Sequence, residues 1–328
     1  MSAGQSPRPC RVCGNRENNT AHIAREMMFG TRDAFEYLEC GACGCLQIAD
    51  VPASLAAYYP PSYYSFHATH EGPLKRFLKR LRASHALGRR SFLGGILAAR
   101  YGPPPYVAWV KAAGIGPSDA ILDVGSGTGR LLVDMSLAGF ENVTGVDPYI
   151  AHDIAYPRGV RVLKRTLAEL DGRYRFIMFH HTFEHLPDPA ETLGAASRLA
   201  ERDGTVLLRI PVAGCFAWRR YGVNWVQLDA PRHLFLHTER SIRFLARETG
   251  FEVAQVRWDS TAFQFWGSEQ IARGIPLDDP RSYFRDPKRS IFTPRQILEF
   301  ESEARALNEN GAGDSACFYL RPARDAPS

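Results

Sequence analysis

The sequence feature that most constrains the fold is an apolar strand that runs into a glycine-rich turn. Residues 121–129 read Ile-Leu-Asp-Val-Gly-Ser-Gly-Thr-Gly, and a helical pattern follows from Arg130. Glycine takes positive φ at no steric cost and lets a ligand approach the backbone closely. The next helix then presents its unpaired N–H groups to that ligand. This order predicts a ligand-binding βα unit, and the alternative is a core strand with a tight turn and no ligand.

Strand patterns alternate with helical patterns from Ala120 onward. The seven predicted strands cover residues 120–124, 142–146, 160–163, 176–179, 205–210, 251–257 and 316–320. Such alternation predicts an α/β fold with a doubly wound, mostly parallel, seven-stranded Rossmann-like sheet. Residues 260–314 break the rhythm and predict a mainly helical insertion before the last strand.

Two acids flank the glycine-rich turn. Asp123 lies two residues before the first glycine, and Asp147 ends the second predicted strand. The carboxylate of Asp123 would repel a pyrophosphate but not a sulfonium or an amino group. Asp147 is placed to accept hydrogen bonds from ribose hydroxyls. The string resembles motif I of the class I S-adenosylmethionine-dependent methyltransferases, and Asp147 matches their second motif.

The resemblance extends over about residues 105–322. Residues 166–170 occupy the position where that family contacts adenine, and residues 176–189 resemble its signature after the fourth strand, which ends Glu-His-x-x-Asp-Pro. The resemblance implies S-adenosylmethionine as the cofactor. The residues expected to bind it are Asp123, Gly125, Ser126, Gly127, Gly129, Asp147, Thr166, Leu167 and His180.

Candidate catalytic residues follow the fourth and fifth predicted strands, where doubly wound folds place their reacting groups. They are His181, Glu184, His185 and His233. Methyl transfer to a hydroxyl is helped by a general base, and His233 or His181 is the candidate. Residues 224–234 form a polar and aromatic loop that is expected to line an acceptor pocket.

Other interpretations of these residues stay open. Glu184 and His185 are also placed to cap the helix that follows them. Some ubiquinone-pathway relatives have Glu-x-x-Glu-His here and hold a metal, but His181 replaces the first Glu in this chain. His233 is also interpretable as an ordinary hydrogen-bonding loop residue.

Five of the seven cysteines lie within the first 45 residues. Cys10, Cys13, Cys40 and Cys43 form two matched Cys-x-x-Cys-Gly turns, which predict a structural tetrahedral zinc site. The segment resembles the zinc module that precedes some sugar and polysaccharide-cluster methyltransferases. Unrelated free thiols are the alternative, and Cys45 is a competing ligand.

The chain is therefore divided into a zinc-binding ribbon module at 1–52, an aromatic and basic helical connector at 53–104, and a methyltransferase domain at 105–328. Tyrosines in 58–66 are interpreted either as a lid over the methionine end of the cofactor or as packing. Residues 72–102 carry eight Lys and Arg and no acid. A helix over 74–97 is predicted to present these cations either to solvent or to an anionic membrane surface.

The predicted activity is methyl transfer to a small-molecule hydroxyl, of a sugar, a nucleotide-sugar or a lipid-linked glycan. The alternatives are C- or N-methylation of a related metabolite, modification of RNA or protein, and cofactor sensing without catalysis. Few aromatic residues interleave with the basic stretch, so nucleic acid is not the expected partner. An N-terminus without an apolar stretch and the lack of an 18-residue apolar run predict a cytoplasmic protein.

Overall fold

The computed structural model describes residues 8–59, 72–89 and 91–323. The strands are β1 Thr20–Arg25, β2 Ala34–Glu39, β3 Leu46–Ile48, β4 Ala120–Val124, β5 Asn142–Val146, β6 Ile154–Ala155, β7 Arg161–Leu163, β8 Tyr174–His180, β9 Ala200–Pro211, β10 Phe235–Leu236, β11 Phe251–Trp258 and β12 Ser315–Pro322. The helices are α1 Pro73–Ala86, α2 Phe92–Tyr101, α3 Pro105–Ala113, α4 Arg130–Ala138, α5 Pro189–Leu199, α6 Phe216–Tyr221, α7 Glu239–Glu248, α8 Phe263–Ala272 and α9 Pro294–Glu309.

The larger sheet has eight strands in the order β11-β12-β9-β8-β4-β5-β7-β6. Strand β4 pairs in parallel with both β5 and β8, and β5 pairs in parallel with β7. This confirms the predicted Rossmann-like α/β class. The sheet has one strand more than predicted because the two-residue strand β6 adds to its edge in antiparallel fashion. Strand β9 also begins at Ala200, five residues before the predicted start.

The smaller sheet has four strands in the order β1-β2-β3-β10. The hairpin β1–β2 runs antiparallel from the pair Thr20 and Glu39 to the pair Arg25 and Ala34. Strand β10 joins this N-terminal hairpin by pairing with β3, almost 190 residues earlier in the chain. The cysteine-containing segment therefore shares its sheet with a loop of the second half of the sequence.

Contacts divide the chain into two compact units. The first unit comprises residues 1–58, 181–191 and 208–318, and the second comprises 59–180, 192–207 and 319–328. This grouping differs from the boundaries at 52 and 104 that the sequence suggested, and those boundaries stay a prediction. The tyrosines at positions 63 and 64 and Phe66, interpreted as a lid or packing, lie outside the described residues.

The basic stretch forms two helices, not the single helix predicted over 74–97. Helix α1 ends before Gly88, where φ is +99°, and Ser91 caps α2 by accepting a hydrogen bond from the N–H of Gly94. A Cβ at Gly94 would lie 2.5 Å from the carbonyl oxygen of Leu81. The chain therefore turns back, because Gly94 allows the backbone of α2 to contact α1 closely.

The predicted helical insertion at 260–314 contains α8 and α9, separated by 21 residues of turns and irregular chain. Thr293 begins α9 with a capping box in which its hydroxyl and Gln296 exchange hydrogen bonds with each other's backbone N–H. Within the parts of the chain that the structure describes, no helix has the length and apolar character needed to cross a bilayer.

Candidate functional site

The four predicted zinc ligands come together in the first unit. The Sγ atoms of Cys10 and Cys43 lie 3.7 Å apart, and those of Cys13 and Cys40 lie 3.6 Å apart. A disulfide needs about 2.05 Å, so both pairs are unbridged. Four sulfurs bound at about 2.3 Å around one zinc lie about 3.8 Å from each other. The cluster therefore has the dimensions of a tetrahedral zinc–thiolate site.

The two Cys-x-x-Cys-Gly turns have the same backbone geometry. The N–H of Gly14 donates to the carbonyl of Cys10 at 2.8 Å, and the N–H of Gly44 donates to that of Cys40 at 2.8 Å. Both glycines have φ of +73°, which favours glycine over every other residue. The glycine after each cysteine pair thus turns the chain back so that two sulfurs share one side.

The fifth cysteine of this segment points elsewhere. The Sγ of Cys45 donates to the carbonyl of Leu46 at 3.5 Å and lies 3.8 Å from Nδ1 of His237. Complete burial raises the pKa of the Cys45 thiol well above its usual range. Cys45 is therefore a neutral core thiol outside the four-sulfur cluster.

The glycine-rich turn in the second unit is held against the end of β5. The N–H groups of Gly125 and Ser126 donate to the carbonyl of Val146, and the N–H of Gly127 donates to Oδ2 of Asp147 at 2.9 Å. Gly125, Gly127 and Gly129 all have positive φ, which explains why the turn requires glycine at alternate positions. Asp147 thus lies directly beside the turn, as the sequence predicted.

A second carboxylate lies under this turn. Asp123 is 3% exposed, and burial together with the nearby charge of Asp147 raises the pKa of Asp123 to about 7. The hydroxyl of Ser126 is also buried and has no hydrogen-bond partner among the described residues. The turn therefore brings together a buried acid, an unsatisfied hydroxyl and a half-buried glycine backbone, which suits a small ligand with positive and hydroxyl groups.

The remaining predicted cofactor contacts have mixed environments. Thr166 forms a capping box with Glu169, so its side chain stabilises the local 3-10 turn. Leu167 is buried in that turn. The ring of His180, the last residue of β8, lies 4.9 Å from the indole of Trp109 on α3. No sequence pattern singled out Trp109.

A buried carboxylate in the first unit lies at the centre of the predicted catalytic residues. Glu184 is fully buried in a 3-10 turn directly after β8, and its Oε1 lies 3.3 Å from Nδ1 of His181. Its Oε2 is buried without a hydrogen-bond partner among the described residues. Burial alone would raise the pKa of Glu184, but the hydrogen bond from His181 and the positive fields of His185 and His233 lower it to about 2.

A chain of polar side chains orients His181. Its Nε2 accepts a hydrogen bond from Nη1 of Arg209, and Nε of Arg209 donates to Asp259 at 2.5 Å. Because Nε2 is an acceptor, Nδ1 carries the proton and donates to Glu184. Both ring nitrogens of His181 are therefore engaged.

The other two histidines are held by backbone carbonyls. Nδ1 of His185 donates to the carbonyl of Arg232 at 2.8 Å, and Nδ1 of His233 donates to the carbonyl of Gln227 at 2.7 Å. The two rings lie 4.7 Å apart. In the neutral form of each ring, Nε2 is then the acceptor nitrogen.

Helix capping does not explain Glu184 and His185. The N–H of Glu191 in the first turn of α5 bonds to Oδ1 of Asp188 at 2.9 Å. Asp188 is therefore the residue that caps α5, while the Glu184 carboxylate faces His181. The capping interpretation of Glu184 and His185 is wrong for this reason.

The loop before β10 is fixed by a fully buried ion pair. Nη2 of Arg232 donates to Glu26 at 2.9 Å and to Asp229 at 2.6 Å. Glu26 also accepts the N–H groups of three residues in the β1–β2 loop, which are Met28, Phe29 and Thr31. Arg232 thus connects the N-terminal hairpin to the backbone that holds His185.

The family profile described as a methyltransferase domain matches residues 74–256, which is more than half of the chain. The chain belongs to this family of class I S-adenosylmethionine-dependent methyltransferases. The family assignment agrees with the parallel sheet and with the glycine-rich turn beside Asp147. It confirms the resemblance that the sequence motifs carry.

Two curated relatives of this methyltransferase act on different small molecules, according to their names. Magnesium-protoporphyrin O-methyltransferase of Synechocystis sp. (strain ATCC 27184 / PCC 6803 / Kazusa) is 24% identical over 170 residues, covering 48% of this chain and 74% of that protein. Ubiquinone biosynthesis O-methyltransferase of Bordetella pertussis (strain Tohama I / ATCC BAA-589 / NCTC 13251) is 33% identical over 115 residues, covering 31% of this chain and 47% of that protein. This methyltransferase thus spans about half the length of the second relative.

One solved structure matches part of the chain. Magnesium protoporphyrin IX methyltransferase from Synechocystis PCC 6803, with bound SAH, is 19% identical with a TM-score of 0.38. The likeness covers 60% of this chain and 85% of that one.

Sequence reasoning missed Arg209 and Trp109, which contact the candidates His181 and His180 of this methyltransferase. It also missed Glu26, which binds Arg232 in the predicted acceptor loop. Arg209 lies 28 residues from its partner His181, and Glu26 lies 206 residues from Arg232. The one sequence signal for the buried ion pair was that Arg232 directly precedes the candidate His233.

Proposed function

We propose that this methyltransferase transfers the methyl group of S-adenosylmethionine to a hydroxyl oxygen of a small molecule. The observation that carries the proposal is Glu184, a buried carboxylate with one unsatisfied oxygen among His181, His185 and His233. Such a centre suits removal of a hydroxyl proton. The names of both curated relatives include O-methyltransferase, which supports an oxygen acceptor.

The glycine-rich turn and its neighbours would hold the cofactor. Bound S-adenosylmethionine supplies an electrophilic methyl group on a sulfonium. Asp147 would accept hydrogen bonds from the ribose, and the backbone of Gly125, Gly127 and Gly129 allows close approach. The carboxylate of Asp123 would become charged beside the cationic end, since a nearby positive charge favours ionisation. Thr166, Leu167 and His180 would border the adenosine side.

Asp147→Ala tests this cofactor assignment. Loss of a charged hydrogen-bond acceptor is expected to weaken S-adenosylmethionine binding by about 1.5–3 kcal/mol, which is roughly 10- to 150-fold in Kd. Isothermal titration calorimetry measures the affinity. Asp171→Ala, an exposed acid after the 3-10 turn, is the matched control. Equal affinities in wild type and Asp147→Ala would remove Asp147 from the cofactor site.

Within the acceptor centre, the geometry favours His233 over His181 as the proton acceptor. Both nitrogens of His181 are engaged by Arg209 and Glu184, whereas only Nδ1 of His233 is used, by the carbonyl of Gln227. Nε2 of His233 lies 3.9 Å from Oδ2 of Asp229, which would stabilise the proton that this nitrogen accepts. Glu184 would stabilise positive charge in this centre, and His185 would lie beside the acceptor oxygen.

The acceptor itself stays a prediction of the sequence. Hydroxyls of a sugar, a nucleotide-sugar or a lipid-linked glycan are proposed, although the names of the two relatives specify a porphyrin and a quinone pathway. Transfer of labelled methyl from S-adenosylmethionine to nucleotide-sugars, glycolipids, phenols and RNA is the test. Labelled nucleotide-sugar or glycolipid supports the proposal. Labelled RNA, or a product with a new C–methyl or N–methyl bond, would overturn it.

Zinc bound by Cys10, Cys13, Cys40 and Cys43 is proposed as a structural ion. The four thiols fit it because their spacing matches tetrahedral zinc and because three N–H groups donate to Cys40 Sγ. The donors are Ala42 N at 3.4 Å, Cys43 N at 3.4 Å and Asn15 Nδ2 at 3.7 Å. Four protein ligands leave no open position, so the ion would stabilise the segment without taking part in catalysis.

Helices α1 and α2 are proposed to touch an anionic membrane surface, in keeping with the predicted cytoplasmic location. More than half of the exposed large hydrophobic side chains of the described residues lie on these two helices, and Phe92 is 88% exposed. They are Leu74, Phe77, Phe92, Leu93, Ile96 and Tyr101. Exposed apolar residues beside cations suit the headgroup region of a bilayer.

Charge reversal of Lys75, Arg76 and Arg80 to Glu is expected to abolish co-sedimentation with phosphatidylserine vesicles at low salt. Each cation contributes at most about 1 kcal/mol near such a surface, and salt screens it. Lys79 is kept because it pairs with Asp134 at 3.1 Å. A matched control reverses the exposed Arg240 and Arg247 of α7. If the wild-type protein does not co-sediment with these vesicles at low salt, the proposed membrane contact is wrong.

A further inference from the structure

The acceptor centre contains three metal-ligating side chains in the first unit. Ligand atoms of Glu184, His185 and His233 lie within 4.8 Å of one another. Two ligands on one cation, with bonds of about 2.0–2.2 Å, lie at most about 4.4 Å apart, so a bound cation would draw a pair near the 4.8 Å limit together by a few tenths of an ångström. We propose that Glu184, His185 and His233 bind one divalent transition-metal cation, distinct from the cysteine-bound zinc. The proposed metal binding does not depend on the proposed methylation. Only the catalytic role given to the cation rests on methyl transfer to a hydroxyl.

Both histidines are oriented as metal ligands usually are. A ligating histidine almost always donates its other ring N–H to a carbonyl or carboxylate, which fixes the tautomer and the ring orientation. His185 donates Nδ1–H to the backbone carbonyl of Arg232 at 2.8 Å, and His233 donates Nδ1–H to the backbone carbonyl of Gln227 at 2.7 Å. The neutral tautomer that these bonds favour places the lone pair of each ring on Nε2, which is the atom that would bind a metal.

The carboxylate supplies the second, independent observation. Oε1 of Glu184 accepts from His181, but Oε2 is buried without a hydrogen-bond partner among the described residues. A buried, unpaired carboxylate oxygen is costly, and a bound cation compensates it. The Glu184 side chain is 1% exposed, so bulk water does not provide this compensation.

The ligand set selects the kind of metal. Two imidazoles and one carboxylate suit Zn²⁺, Fe²⁺, Co²⁺ or Mn²⁺ more than Mg²⁺ or Ca²⁺, which prefer all-oxygen sites. Three protein ligands leave at least one position open, as in catalytic zinc sites. That position is available to the acceptor oxygen.

His181 has a different role from the one that the Glu-x-x-Glu-His pattern suggested. It occupies the position of the first Glu, but its two nitrogens bond to Arg209 and Glu184. The third ligand instead comes from His233, 48 residues after His185. His181 is therefore a positioning residue that orients Glu184.

The cation would lower the pKa of the acceptor hydroxyl. In the metal-bound protein Nε2 of His233 would be a ligand and not the base, because its Nδ1 donates to the carbonyl of Gln227. The hydroxyl proton would then leave to solvent, and an oxygen lone pair would form the new bond to the methyl carbon. The bond from sulfur to that carbon would break, and its electron pair would return to the sulfonium sulfur, which would become a neutral thioether. No electron is gained or lost overall, so the metal does not change its oxidation state.

Cobalt titration of the chelated full-length protein tests the site. Wild type is expected to bind about two Co²⁺ per chain, one with sulfur-to-metal charge-transfer bands and one with only weak visible bands. Glu184→Gln and His233→Gln are expected to bind about one Co²⁺ and to keep the charge-transfer bands. The matched control is His152→Gln, which changes an exposed histidine outside the site.

Several outcomes would overturn the proposal. Wild type that binds only the sulfur-ligated Co²⁺ would show that Oε2 of Glu184 contacts water. If His181→Gln loses the second ion while His233→Gln retains it, His181 is the third ligand. Should a variant fail to fold, titration of wild type alone still decides whether a second ion binds. Because neither cofactor nor acceptor is present, this result is independent of the methylation screen.

Discussion

Cys40→Ser is expected to release the cysteine-bound zinc and to unfold the segment that contains β1, β2 and β3. Structural zinc contributes about 10–16 kcal/mol of apparent binding free energy in zinc-finger peptides, and that energy is folding energy. Each of the three strands has six residues or fewer, so the hairpin has little core of its own. Loss of the zinc is therefore expected to lower stability more than loss of any single buried side chain in this methyltransferase.

Elemental analysis and thermal unfolding measure this effect. Cys40→Ser is expected to contain about one zinc less per chain than wild type and to unfold at a clearly lower temperature. Cys45→Ser is the matched control, because Cys45 is a buried neighbour that bonds to Leu46 instead of joining the cluster. If Cys40→Ser keeps its zinc and its unfolding temperature, the four cysteines do not form a structural site.

The parts of the fold that could be predicted depend on residues close together in the sequence. The turn at 125–129 and the two cysteine turns each consist of a few consecutive residues with fixed glycine positions. Asp147 could be placed because β5 runs parallel to β4, so both strands end at the same edge of the sheet. Local pattern alone was sufficient for these features.

The rest depends on contacts between distant residues. Strand β10 has two residues, too few for a strand pattern, and it exists because β3 offers it an edge. The break between α1 and α2 depends on the contact between Gly94 and Leu81, which periodicity does not encode. The sequence does not show which of the 40 Lys and Arg residues pairs with Glu26. Its partner Arg232 lies 206 residues away, and an ion pair between such distant residues follows no sequence spacing.

The same limit applies to the candidate site. The sequence selected His181, Glu184, His185 and His233 because they follow strand ends, but it could not assign their contacts. The structure separates them into His181, held by Arg209, and the group of Glu184, His185 and His233. Which ring nitrogen donates depends on carbonyls of residues 227 and 232, and only the folded backbone brings these into place.

Arg232→Met is expected to lower the free energy of unfolding by about 3–5 kcal/mol, because it leaves the carboxylates of Glu26 and Asp229 buried without their cation. Arg232 and Glu26 are both 0% exposed, so solvent does not replace the lost charge. The matched control is Arg243→Met, which breaks the exposed 2.6 Å pair with Glu239 and is expected to cost less than about 1 kcal/mol. Urea unfolding followed by tryptophan fluorescence measures both.

A second substitution distinguishes loss of the charge pair from loss of packing. Adding Glu26→Gln to Arg232→Met removes one of the stranded charges and is expected to restore part of the lost stability, so that the two changes are not additive. Strict additivity, or equal losses for Arg232→Met and Arg243→Met, would contradict the argument. Because the carbonyl of Arg232 holds Nδ1 of His185, Arg232→Met is also expected to weaken the second Co²⁺ about 10- to 100-fold. The buried ion pair would then position the metal ligand His185 as well as stabilise the loop.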